Sequence, residues 1–232
     1  TWLAMVGKNG VRTLRDGLIP FLIISGITAL PIIFQKDNDT LIVMMLAGTT
    51  MFWIAGAKIK HILILGLIGL LGLGVLIMVR PYIKDRIMSF IHPAAYLQTT
   101  GYQTQHSVTA IGSGGFNGRG FGQSLQKFTF LPEPVGDSIF AVAAEEFGFV
   151  GATFLIIIFL LFGWRGLKIA ANLKEGFSRL VVVGIVILIC VQAFWNMGTM
   201  MKIIPISGLP LPFVSHGGTA LFFTLCACGI LL

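Results

Sequence analysis

"ILILGLIGLLGLGVLIMV", residues 62–79, runs for 18 positions without one charged or strongly polar side chain. A helix needs about 20 predominantly apolar residues to cross the hydrocarbon core of a bilayer, and this run is close to that length. The chain around it is built the same way. It is 56% hydrophobic and 11% charged, with a mean hydropathy of +0.91, too little polar surface to cover a water-soluble core. Comparable runs occupy Gly17–Phe34, Thr40–Ala57, Phe147–Trp164 and Leu180–Met201, and a sixth begins near Thr219 and is still apolar at Leu232. None alternates in the manner of a barrel strand, and lipid admits only helices and closed barrels. The expected fold is an all-α integral membrane protein, a polytopic transmembrane helical bundle with a long structured extracytoplasmic loop. One membrane domain should cover 1–232. "TWLAMV" at the start reads as the tail of an earlier helix, so the chain is expected to be part of a longer protein.

Charge orients the bundle. The formal net charge is +7, from 16 basic and 9 acidic residues. Lys8, Arg12, Arg15, Lys58, Lys60, Arg165, Lys168, Lys174 and Arg179 fall on one side of the runs, while the short opposite connections hold only Lys36 and Lys202. The positive-inside rule places the first set in the cytoplasm. The long connection from about Arg80 to Glu146 then faces outward. No pattern for nucleic acid accompanies the basic charge. Cys190, Cys226 and Cys228 all lie in apolar runs and imply neither a disulfide framework nor a zinc site.

The long connection divides into three. Residues 80–93 read as a short amphipathic segment ended by Pro93. Residues 103–122 begin as a helix and dissolve into glycine. Residues 128–137 read as an extended lead, because Pro132 and Pro134 bias Leu131 and Glu133 away from helix. Glycines at 112, 114, 115, 118, 120 and 122 permit turns that aim backbone N–H groups at an anion, and Arg119 among them strengthens that reading against a plain tight loop. No P-loop or dinucleotide pattern is present. Arg86 reads equally as a snorkelling interface residue or a phosphate contact. The histidines make no metal spacing: His61 reads as an interface residue, His92 closes the amphipathic segment, and His106 and His216 read first as satisfied structural residues and second as lining an outward cavity.

Four acids crowd "LPEPVGDSIFAVAAEEFGFVG", residues 131–151. Burying an unpaired charge is costly, and ionisable groups near membrane depth are functional candidates. Phe147–Trp164 is long enough to span alone, so Glu145 and Glu146 are expected at the outer rim or in a water-accessible cavity, with Ser138–Ala144 a helical stub above. Asp137 stands just before this helix, where an acid is either an N-cap or a functional carboxylate.

"FLPEPVGDSIFAVAAEEFGFVGA" (130–152) resembles the signature of the SEDS family, which contains FtsW, RodA and SpoVE. Three further stretches resemble that family's motifs in the same order: "FQKDNDT" (34–40), "IGSGGFNGRGFG" (111–122) and "GLPLPFVSHGG" (208–218). The forms "VSHGG" and "QSLQKFTFLPEP" lean towards the FtsW branch. Val135–Gly136 departs from the family's usual His-Thr pair, and Ser207 stands where division-type relatives often carry Lys. The resemblance implies a multi-pass enzyme of the bacterial cytoplasmic membrane that polymerises lipid II into glycan strands, with residues 80–146 as its active-site region. It also implies a class B penicillin-binding protein as partner, within the division or elongation complex. The family's essential Asp falls on Asp137 and its nearby loop Glu on Glu133.

The chemistry this implies is attack of a sugar hydroxyl on an anomeric carbon with departure of a lipid pyrophosphate. That needs one carboxylate base and donors at the departing phosphates. Asp137 is the expected base and Glu133 its polar or metal-assisting neighbour. Arg86, Arg119, Ser113, Gly114, Gly115, Lys127, His106 and Ser215 are the expected substrate contacts. A divalent cation, Mg or Mn, bridging phosphates suits this chemistry. Two other readings compete: a flippase for the lipid-linked precursor, and an idle scaffold for a penicillin-binding protein.

Overall fold

A computed structural model describes residues 2–92, 96 and 100–231 of the chain. The described residues are helical with no strand. The helices are α1 Trp2–Val11, α2 Ile19–Phe34, α3 Asn38–Ile54, α4 Ile59–Val79, α5 Pro81–Ile91, α6 Thr100–Gly114, α7 Gln126–Thr129, α8 Ile139–Asn172, α9 Gly176–Met200 and α10 Gly218–Gly229. Four segments are long and apolar enough to cross a membrane: Leu14–Phe34, Ile59–Val79, Ile139–Asn172 and Gly176–Met200. The protein is an all-α integral membrane protein. The run expected over Thr40–Ala57 is shifted towards the N-terminus: Asp37 Oδ1 accepts Thr40 N–H at 3.0 Å and starts α3 at Asn38. The helix stops at Ile54 after 17 residues, just ahead of Gly56 at φ +111°. Pro93, expected to end the amphipathic segment, lies outside the described residues.

The helices gather into two compact units. The first holds α1–α3, most of α4, the end of α8, the first part of α9 and the last turn of α10. Its core is aromatic: Phe21 stacks on Phe52 with centroids 4.6 Å apart, and Val11, Leu18 and Ala57 close the cluster. His61 is buried against Phe52, 6.3 Å between centroids, rather than lying at an interface. Gly166 lets α8 approach α9, since a Cβ there would overlap Val186; small residues commonly bring membrane helices together in this way. An apolar cavity in this unit, lined by Trp2, Phe21, Ile24, Met44 and Met51, has no titratable group on its walls.

The second unit holds the end of α4, α5–α7, α8 as far as Leu161, the end of α9 from Gln192, and the segment on to Cys226. Its organising feature is a break in α8 at Gly148, where φ is +67°. In an unbroken helix Phe149 N–H would bond Glu145 O, and Val150 N–H would bond Glu146 O. Here Phe149 N–H donates to Gly115 O at 2.9 Å and Val150 N–H to Phe116 O at 3.3 Å. The two released carbonyls are filled in turn by Arg119 N–H, at 3.0 Å on Glu145 O, and Gly120 N–H, at 2.9 Å on Glu146 O. Two bonds along the helix are thereby exchanged for four to the chain that follows α6. This wedge requires bare backbone. A Cβ on Gly118 would overlap Glu146 O, and one on Gly114 would overlap Ala144 O.

Candidate functional site

Between α7 and α8 the chain makes a compact turn rather than the extended lead that two prolines suggested. Gly136 N–H and Ser138 N–H both donate to Glu133 O, at 3.0 and 3.3 Å, and Ser138 Oγ–H reaches Pro132 O at 2.9 Å. To offer its carbonyl to two amides Glu133 adopts φ +44°, not the extended backbone expected before proline. A non-glycine residue held in the left-handed region costs about 1–3 kcal/mol, and such residues cluster at functional sites. The turn is fastened from outside as well. Ser215 Oγ–H donates to Gly136 O at 2.6 Å, His216 N–H to Val135 O at 2.8 Å, and Asn196 Nδ2 to Asp137 O at 2.6 Å.

At the end of this turn the half-buried Asp137 carboxylate accepts one side-chain bond on each oxygen. Gln103 Nε2 donates to Oδ2 at 3.2 Å and Ser138 Oγ lies 3.2 Å from Oδ1. Gln103 Nε2 also lies 3.1 Å from Ser138 Oγ, tying the three groups together. The first turn of α8 hangs on Ser138 O, which accepts Ala141 N–H and Val142 N–H. None of its amides donates to the Asp137 carboxylate, so this acid is not the cap of the helix. Burial raises its pKa above the ordinary carboxylate value of 3.8; the Gln103 and Ser138 bonds oppose the rise, and the charge of Glu133 adds to it. Glu133 itself is exposed.

A second constellation surrounds Glu145 and Glu146. These acids were expected at a wet rim, but both are buried. The Glu145 carboxylate accepts from Ser124 Oγ–H at 2.5 Å, Leu125 N–H at 3.2 Å, Gln126 N–H at 3.3 Å and Ser113 Oγ at 3.2 Å, and Arg119 Nε lies 3.5 Å away. Glu146 is paired with Lys127 Nζ and accepts Ser124 N–H at 3.4 Å. A buried carboxylate survives only with its lone pairs met, and here the loop after α6 supplies the donors. The glycine run is thus engaged inside the protein: Gly115, Gly118, Arg119 and Gly120 all spend their N–H groups on backbone carbonyls. The anion cradle that the glycines suggested is not the shape this backbone takes. Its physical purpose is the wedge in α8.

The predicted residues therefore separate. Glu133, Asp137 and Ser215 share the turn. Ser113, Gly114, Gly115, Arg119 and Lys127 belong to the wedge around Glu145 and Glu146. Helix α6 serves both, because Gln103 and His106 lie three residues apart on one face. His106 Nδ1 is 3.0 Å from Gln126 Oε1 and its ring stacks on Phe130 at 5.3 Å, which fastens α6 to α7. Arg86 sits on α5 with its guanidinium 5.7 Å from the Tyr82 ring centroid, and α5 packs against α6. Among the described residues no three His, Cys, Asp or Glu side chains gather as metal ligands.

Two residues of the site carried a signal in the sequence that the motifs did not include. Asn196 and Gln192 are amides four positions apart within the apolar run 180–201, so one face of α9 is polar. Both reach across to the loop that follows α9: Asn196 Nδ2 to Leu209 O at 2.7 Å and Gln192 Nε2 to Pro210 O at 3.0 Å. Gln103 had no comparable marker, because a glutamine in a polar helix is unremarked until its partner is seen.

The family model described as cell cycle protein, covering FtsW, RodA and SpoVE, matches residues 2–232. Stage V sporulation protein E of Bacillus subtilis is 40% identical over 225 residues, covering 97% of this chain and 62% of its own length. A probable peptidoglycan glycosyltransferase FtsW of Geobacter sp. is 34% identical over 225 residues, covering 97% of this chain and 61% of its own length. The chain thus spans about three fifths of these relatives. Among solved structures, a chain from a study of how a peptidoglycan synthase complex coordinates polymerization and crosslinking superposes with a TM-score of 0.75 at 25% identity. That match covers 99% of this chain and 64% of the other.

Proposed function

Because the chain belongs to the FtsW, RodA and SpoVE family of cell-cycle proteins, we propose that it carries the catalytic carboxylate of a peptidoglycan glycosyltransferase. The substrate in this reading is lipid II, and Asp137 is the general base. The observation that carries it is the state of that carboxylate: half-buried, pushed up in pKa by its desolvation, and bonded by one side chain on each oxygen. A carboxylate can accept about four hydrogen bonds, so with Gln103, Ser138 and its own backbone amide as donors it keeps capacity for an incoming hydroxyl. The hydroxyl oxygen of the acceptor sugar forms a bond to the anomeric carbon of the donor as the bond from that carbon to the lipid pyrophosphate breaks, with inversion. The hydroxyl proton passes to Asp137. Burial helps here, since a site that disfavours the anion makes it the stronger base.

Pyrophosphate leaves readily, so no second carboxylate acid is needed, unlike most glycosidases. Arg119 engages Glu145 through Nε and is 38% exposed. Its terminal nitrogens, with Arg86, are the proposed pyrophosphate contacts. Exposed Glu133 acts beside Asp137 by its charge, and Ser215 holds the turn. The glycines serve the wedge. The charge asymmetry supports a loop on the outer face of the bacterial cytoplasmic membrane, where a class B penicillin-binding protein is the natural partner. A flippase needs polar groups along the whole depth of the membrane. Gln103, Ser138, Asn196 and Ser215 instead converge on one turn, which favours chemistry there. Incubating the full-length protein, alone and with its penicillin-binding partner, with purified lipid II should yield glycan strands. Lipid II movement across vesicles without polymer would overturn the reading.

A further inference from the structure

Asn196 is fully buried in α9. A primary amide has two N–H bonds to give, and both are committed to main-chain carbonyls: Asp137 O at 2.6 Å and Leu209 O at 2.7 Å. Its Oδ1 has no partner. Turning the amide over would set that oxygen against two carbonyl oxygens, so the orientation is fixed. Two short bonds to carbonyls of separate segments make this side chain a bridge between them.

Its position gives the bridge a consequence for the Asp137 turn. The 207–216 segment is pinned to the Asp137 turn by Ser215 on Gly136 O and by His216 N–H on Val135 O. Asn196 alone of these holds the peptide unit of Asp137 itself, and it holds the facing segment with the other half of the same nitrogen. On that facing segment stands Gly208, where a Cβ would lie 4.0 Å from Asp137 Oδ2. The separation of the carbonyls of Asp137 and Leu209 therefore sets the gap in front of the carboxylate.

We propose that Asn196 is a positioning residue. By bridging Asp137 O and Leu209 O it fixes the direction of the Asp137 carboxylate and the width of the gap between Oδ2 and Gly208. This inference rests on the glycosyl-transfer reading of Asp137, and Asn196 acts on the reaction only through that residue. It also sets an order among substitutions: Ser keeps one donor, Ala keeps none, and Leu fills the volume without a bond.

The test uses the full-length protein. Asn196→Ala should lower kcat for lipid II polymerisation about 10²-fold, the effect of a displacement of about 1 Å, with KM changed less than about threefold. Asn196→Ser should fall between it and the wild type, and Asn196→Leu should match Ala. A second readout needs no turnover: infrared titration of the Asp137 carboxyl, isolated by subtracting the Asp137→Asn spectrum. Freed from Asn196, the turn opens to water and the midpoint should move down towards that of an ordinary carboxyl. Should Asn196→Ala fail to accumulate, Asn196→Ser carries both readouts. An unmoved midpoint, with kcat per folded molecule unchanged, overturns the positioning role. If the wild type makes no strands at all the glycosyl-transfer reading fails instead, and the infrared midpoint still decides what Asn196 does.

Discussion

Asp137→Asn changes the chemistry of one group and almost nothing else. The amide has the same shape, and its two ends fit the bonds already there. Oδ1 can accept Gln103 Nε2 as Asp137 Oδ2 does now, and Nδ2 can donate to Ser138 Oγ. Ser138 has one proton, which then goes wholly to Pro132 O. The bond count survives and the base is gone. Loss of a general base typically lowers the rate about 10²–10⁴-fold, or about 3–5 kcal/mol in the barrier. Stability should move the other way. Burial raises the Asp137 pKa above its unfolded value, so this group's contribution is present below the unfolded pKa and is lost as pH rises through the folded one. At neutral pH the ionised acid is a cost that a neutral amide removes. The assay is strand synthesis from lipid II by the full-length variant, with Tm in detergent and partner binding measured in parallel. The expected result is an inactive protein that binds its partner and has a Tm equal to or above the wild type. Near-normal synthesis would refute the assignment, and so would a fall in activity that merely follows a fall in Tm.

The same raised pKa fixes the direction of the pH profile. A base must be ionised, so kcat should fall as pH drops, with its midpoint above the 3.8 of an ordinary aspartate; Glu133→Gln should move that midpoint down by removing a neighbouring negative charge. The wedge in α8 yields a contrast between two glycines. Gly118 has φ +79° and a Cβ there would overlap Glu146 O, whereas nothing lies within 4 Å of a Cβ on Gly112. Gly118→Ala should therefore lower Tm by several degrees and open the loop to protease, while Gly112→Ala should leave both unchanged; an anion-cradle role predicts lost activity at unchanged Tm instead.

The spans were legible in the sequence because lipid makes one physical demand, a long apolar helix, and residues 62–79 meet it in full. The end of α6 was legible too, since a run of glycines cannot continue a helix cheaply. The wedge was not. Glycine records that backbone comes close to something, but not to what, and a phosphate and a helix carbonyl ask the same thing of it. Glu133 misled for a related reason. Its two flanking prolines express a local preference, and a turn that needs its carbonyl twice overrides it. Asp137 stayed ambiguous because a cap and a base occupy the same place before a helix; only its partners separate them, and Gln103 lies 34 residues away.

Those partners also divide the work among the acids that crowd 131–151. Glu145 meets Ser113, Ser124, two backbone amides and Arg119, which leaves its carboxylate no capacity for a substrate. Glu146 is neutralised by Lys127 and accepts Ser124 N–H on the same oxygen. Their energetic role is to hold the broken helix against the loop wedged into it, and removing either donor set would strand a buried charge. Asp137 is the opposite case: enough burial to raise its basicity, too few donors to fill its lone pairs, and a main chain clamped by Asn196 and Ser138 so that the unfilled pairs keep one direction. A carboxylate that is buried and saturated holds structure together. One that is half-buried and clamped, with amide and hydroxyl donors rather than a cation as its partners, suits proton acceptance, which is the role proposed for Asp137.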